Sequence, residues 1–176
     1  GTPPNKPMYI KSVSASEKQT DTWPLLLVDV KGTNGVDRVH LITAPNTTRG
    51  FDNGWDGTKL RTQTDAQIYA FANATDRYQV STDSDLNGTI LGFFNGTGET
   101  AFTLTFRMKD MQNVYNTLEL EDLETGAKTG ITDGGTFGFT ASAVSPESRF
   151  RINGTIAPLP PIVTKSPIII TYDISK

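Results

Sequence analysis

Asparagine–glycine pairs recur along this chain, at 34–35, 53–54, 87–88, 95–96 and 153–154, and Gly134-Gly135 follows Asp133. Such pairs supply the positive φ angles that tight hairpin turns require and most side chains resist. Between them lie short runs rich in Val, Ile, Thr, Phe and Tyr, many alternating apolar with polar residues. A chain interrupted this often folds as short strands, and no stretch carries a helical period with caps.

Strands are expected near 8–14, 24–32, 37–44, 57–62, 66–72, 77–82, 88–94, 100–108, 116–122, 127–132, 136–142, 149–154 and 167–174. In TAFTLTF, Phe102, Leu104 and Phe106 share one face and the threonines the other, as in a sheet with one buried side. The pattern predicts an all-β fold, an antiparallel β-sandwich of jelly-roll type. One domain over 8–155 accounts for it, with no clear internal repeat. Residues 1–7, GTPPNKP, read as a linker, with Gly1 as a cloning remnant and an export signal removed upstream. Residues 156–176 begin with a segment carrying Pro158, Pro160, Pro161 and Pro167, followed by a closing strand or the start of a truncated region.

Several function classes fall away on composition. Net charge is −3 and lysines and arginines form no stripe, which argues against a nucleic-acid partner. No apolar run reaches the ~20 residues of a membrane-spanning helix. Without cysteine there is no disulfide, thiol nucleophile or cysteine–zinc site. The one histidine, His40, lies in the apolar run VDRVHLITA and reads as a strand residue.

Two loops hold candidate ligands. In GFDNGWDGTKL (50–60), Asp52, Asn53 and Asp56 offer hard oxygens to calcium as a cofactor, with Gly54 and Gly57 allowing the chain to wrap an ion. The same side chains can instead cap their own turn, which is the expected role. It predicts backbone N–H bonds accepted by Asp52 or Asp56, positive φ at Gly54 and Gly57, and Trp55 packed on a rim. In TDSDLNGT (82–89), Asp83, Asp85 and Asn87 match the first half of a calcium-loop pattern, but Phe94 stands where the closing glutamate belongs. Five N-x-T sequons, at Asn46, Asn73, Asn87, Asn95 and Asn153, read as turn chemistry. Trp55, Tyr69 and Tyr78 are the candidate platforms for stacking on a sugar. A glycoside-active enzyme would draw its acid and base from Asp52, Asp56, Glu119 and Glu121, although Glu119 and Glu121 alternate with leucines and read as the wet face of a strand.

Taken in order, DRVHLITAPNTTRGFDNGWDGTKL, AQIYAFANATDRYQVSTD, TILGFF, FTLTFR and LELEDLETGAKTGITDGGTFGFTASAVSPESRFRI resemble a domain recurrent in exported surface proteins of the Bacteroidetes type. The resemblance rests on Thr48, Phe51, Asp52, Asp56, Gly57, Lys59 and Leu60, then Leu120, Glu121, Asp122, Thr125 and Gly126. Gly135, Phe137, Phe139, Arg149 and Phe150 complete it. It implies an extracellular or outer-surface β-sandwich accessory domain, found ahead of type-nine secretion sorting domains and associated with adhesion. The expected function is non-enzymatic adhesion or module presentation, with other surface proteins or glycans as partners and a monomeric isolated domain. A carbohydrate-binding module is the alternative, and a glycoside-active enzyme ranks last.

Overall fold

A computed structural model describes residues 22–158. The linker at 1–7, the strands expected at 8–14 and 167–174, and the proline-rich segment beyond Pro158 lie outside the described residues. Eleven strands follow in order: β1 (Leu25–Gly32), β2 (Gly35–Thr43), β3 (Gly57–Thr58), β4 (Ala66–Phe71), β5 (Arg77–Asp83), β6 (Ile90–Asn95), β7 (Ala101–Lys109), β8 (Tyr115–Asp122), β9 (Lys128–Gly130), β10 (Thr136–Thr140) and β11 (Ser148–Ile156). Among the described residues a 3₁₀ turn, Met111–Asn113, lies between β7 and β8. The all-β expectation holds.

The strands form one sheet in the order β10-β7-β1-β2-β5-β4-β6-β11-β8-β9, with β3 attached to β5. The sheet curls until it is nearly closed and barrel-like. The expectation of a purely antiparallel sheet needs one correction. Pairing is antiparallel throughout except where β2 meets β5 in parallel, His40 opposite Val80 through Thr43 opposite Asp83. β5 enters beside β2 only after the chain has passed through β3 and β4, so it arrives running in the same direction.

Alternation sets the inner face. On β7, Phe102, Leu104 and Phe106 are buried while Thr103 and Thr105 face out; β8 buries Leu118 and Leu120 between its glutamates. Aromatic rings pack across the inside of the curled sheet, from β6 and β11 to β7 and β10. Phe93 of β6 meets Phe102 of β7 at 4.9 Å and Phe139 of β10 at 5.0 Å. Phe150 of β11 meets Phe139 at 5.0 Å and Phe137 at 6.2 Å. These edge-to-face contacts add to the area that the rings bury.

Three glycine positions show why the turn signal is not read uniformly. Gly54 has φ 85° and Gly88 φ 81°, so these pairs do make turns. Asn153-Gly154 does not: it lies inside β11. A Cβ on Gly154 would stand 2.8 Å from the Tyr115 ring, so the glycine is there for close packing. The strand expected at 57–62 is likewise reduced to Gly57–Thr58. The β3–β5 register shifts between those two residues, and Thr62 N–H turns to the Gln67 side chain at 3.0 Å.

Candidate functional site

The loop 44–62 is held at one rim by carboxylates. Asp52 accepts the Thr48 N–H at 2.6 Å, and Asp56 accepts the Asp52 N–H at 2.7 Å and the Thr82 N–H of β5 at 2.6 Å. An ionised carboxylate has lone pairs for several such bonds, so two side chains fix an irregular path without a ladder. Burial pushes the Asp56 carboxyl above its ordinary value, more than the two N–H donors lower it, with the nearby Asp52 and Asp83 charges raising it further. Both aspartates therefore act as expected of a self-capped turn. Gly57 departs from expectation, since its backbone is that of β3 and between residues 50 and 60 positive φ is confined to Gly54. Asn53 is exposed.

Trp55 is half-buried, its ring 5.6 Å from Trp23 and edge-on to it. Phe51 is 57% exposed and stands edge-on to Tyr78 at 6.0 Å; Leu60 is 84% exposed. Tyr69 and Tyr78, taken from the sequence as stacking platforms, are 0% and 4% exposed, so neither ring offers a free face. Tyr69 lies in a run of covered side chains, which alternation alone did not reveal, whereas Tyr78 is buried beside an exposed Gln79. Beside Phe51 a shallow groove of about 480 Å³ is lined by Thr58, Arg61, Asp76, Arg77 and Tyr78.

The second loop is knitted by an arginine. Arg49 Nε donates to Asp83 at 2.9 Å, and its Nη2 donates to the carbonyls of Asp85 at 3.1 Å and Asn87 at 2.8 Å. Asp85 accepts the Asn87 N–H at 2.9 Å and the Tyr115 hydroxyl at 2.9 Å, while Asn87 accepts the Gly154 N–H at 3.0 Å. Desolvation raises the Tyr115 hydroxyl to about 12. Asp83, Asp85 and Asn87 thus each accept bonds from the protein itself, and among the described residues no three acids or histidines gather as a metal set.

Glu119 and Glu121 face outward on β8, paired with Lys128 at 3.5 Å and Arg151 at 3.4 Å. Asn73 and Asn95 cap their own turns through bonds to Thr75, Asp76 and Thr97. Asn153 donates to Glu121 at 3.0 Å.

Three clusters escaped the sequence reading. Lys59 is buried and bonds both oxygens of Asp37 at 2.6 Å. Arg149 and Asp122, each 1% exposed, pair at 2.8 Å through two parallel bonds, with Glu124 as a further partner of Arg149. Glu147 accepts Arg77 at 2.7 and 2.9 Å, Arg61, and the Tyr69 hydroxyl. Burial alone would raise the Glu147 carboxyl, but the bonds from Arg77 and Tyr69 and the charges of Arg77 and Arg61 win and lower it to about 2.

Asp56→Ala should cost about 1–3 kcal/mol in urea unfolding by stranding the Asp52 and Thr82 donors. A chelator should leave the melting temperature of the parent chain unchanged; a chelator shift restored by added calcium would show a cation holding the loop instead. Because the folded Glu147 carboxyl lies below its unfolded value, its contribution is present above the ordinary glutamate range and is lost as pH falls toward about 2. Glu147→Gln should accordingly flatten the fall in melting temperature between the ordinary glutamate range and that limit. An unaltered acid profile would show that the cluster contributes nothing.

A stretch of 131 residues, 74% of the chain, is 35% identical to part of the minor fimbrium subunit Mfa5 of Porphyromonas gingivalis. The matched part is 10% of that protein, so the chain spans about a tenth of the length of the curated relative it matches. No family model matches the chain. No solved structure matches it either.

Proposed function

We propose that this chain is a non-enzymatic module of a fimbria-associated protein on the outer cell surface, and that its rim docks a protein partner. The observation that carries this reading is the 35% identity to part of a minor fimbrium subunit. The engagement of the candidate acids fits the same reading. Asp52, Asp56, Asp83 and Asp85 are spent on loop N–H groups and Arg49, and Glu119 and Glu121 on strand neighbours. The exposed Phe51 beside Arg61 and Arg77 in the groove, with Leu60 exposed next to Arg61 in the chain and Trp23 exposed against Trp55, gives the rim the aromatic and arginine character of protein contact surfaces. Type-nine secretion, after removal of an export signal, is the route proposed with it.

Purified chain should bind fimbriae sheared from the bacterium that makes it, and Phe51→Ser with Leu60→Ser should weaken that binding at unchanged melting temperature. Turnover on a glycoside panel, or binding to a glycan array with none to fimbriae, would overturn the proposal.

A further inference from the structure

We propose that Lys59 and Asp37 are joined by a side-chain amide, an intramolecular isopeptide bond that the folded chain forms on itself. Lys59 is the one buried lysine among the described residues, its side chain 2% exposed. Its Nζ stands 2.6 Å from each oxygen of Asp37. Equal distances place Nζ on the plane that bisects the carboxylate, which puts Cγ within about 3 Å, inside the ~3–3.5 Å of a near-attack arrangement. The Ile68 N–H donates to Asp37 Oδ2 at 2.8 Å and is placed to hold charge on that oxygen.

A bare ion pair explains the same contact less well. An ammonium has three N–H donors, and here they meet only one carboxylate in a site where burying charge is expensive. Compare Arg149, which is also buried but divides its donors between Asp122 and Glu124. Condensation removes both charges and leaves one amide.

The reaction balances within the pair. A proton passes from the ammonium to Asp37 Oδ1, and the freed amine attacks Cγ while Oδ2 takes up negative charge against the Ile68 N–H. The nitrogen then gives a second proton to Oδ1, the Cγ–Oδ1 bond breaks, and water leaves as the Cγ=Oδ2 bond reforms. The products are a secondary amide and one water, with no oxidant and no cofactor. Asp37 and Lys59 line a cavity of about 370 Å³, shared with Asn34, Thr62, Asp65 and Gln67, through which that water departs.

The link would join positions 22 residues apart and enclose the whole clasp of Thr48, Asp52 and Asp56. A chain without cysteine gains in this way a covalent closure of its rim that is indifferent to reductant.

Intact-mass spectrometry of the folded 176-residue chain, followed by peptide mapping, tests the proposal. The expected mass is one water below that of the sequence, with trypsin unable to cut after Lys59 and one branched peptide containing both Asp37 and Lys59. Lys59→Arg and Asp37→Ala should each restore the full mass of their sequence. Should either variant fail to fold, the map of the parent chain still decides. A folded parent at full mass overturns the proposal. So does a water loss that maps to Asp56-Gly57 or Asp133-Gly134, where aspartate cyclises onto its own backbone.

Discussion

Asp122→Ala should lower the unfolding free energy by about 3–5 kcal/mol, because it leaves the Arg149 guanidinium buried without its bidentate partner. Both side chains are 1% exposed, and the remaining partner of Arg149, Glu124, is 37% exposed. Glu124 can follow the arginine only in part, so the loss should fall toward the lower end of that range. Against a total stability of about 5–15 kcal/mol for a domain, this is enough to shift the whole unfolding curve. Replacing both partners by apolar residues of similar volume, Arg149→Met with Asp122→Leu, should recover most of the loss, since the pair's attraction is offset by its desolvation. Urea unfolding of the parent, both single variants and the double variant closes the cycle. A loss below about 1 kcal/mol for Asp122→Ala would mean that water reaches the guanidinium.

Phe150→Ala should cost a similar amount, about 3–5 kcal/mol, with the folded topology kept. Phe150 is 0% exposed and holds β10 to β11 through Phe137 and Phe139, and the Arg149 guanidinium lies 5.6 Å from its ring centre. Removing the ring opens a cavity between β10 and β11, which are not neighbours in the sheet and share no ladder bonds. Phe150→Leu should cost clearly less, because the side chain still fills most of the space. Chemical denaturation with an unchanged m-value would identify lost packing. A fall in m would show that the native sheet had opened.

Local alternation was legible in the sequence and long-range partnership was not. The buried Phe102, Leu104 and Phe106 of β7, and the outward Glu119 and Glu121 of β8, sit where a two-residue period puts them. The clasp of Asp52 and Asp56 was legible too, because a short aspartate acts on donors in its own loop. Arg149 was not, since the register between β6 and β11 shifts between Ser148 and Phe150. A bulge re-aims side chains, so Arg149 and Phe150 are both buried although they are adjacent. The Glu147 cluster draws on Arg61, Tyr69 and Arg77, separated from it by 86, 78 and 70 residues. Such distant pairings leave no trace in a local pattern. The parallel β2–β5 pairing is of the same kind.

The proposed role is tested most directly by removing the segment from the protein that carries it. An in-frame deletion of residues 25–156 should leave that protein exported while lowering its recovery in sheared fimbriae and the adhesion of the cells. Substituting Phe51 and Leu60 at the rim should reproduce the loss with the fold intact. Fimbriae of unchanged composition, on cells that adhere as before, would contradict the proposal.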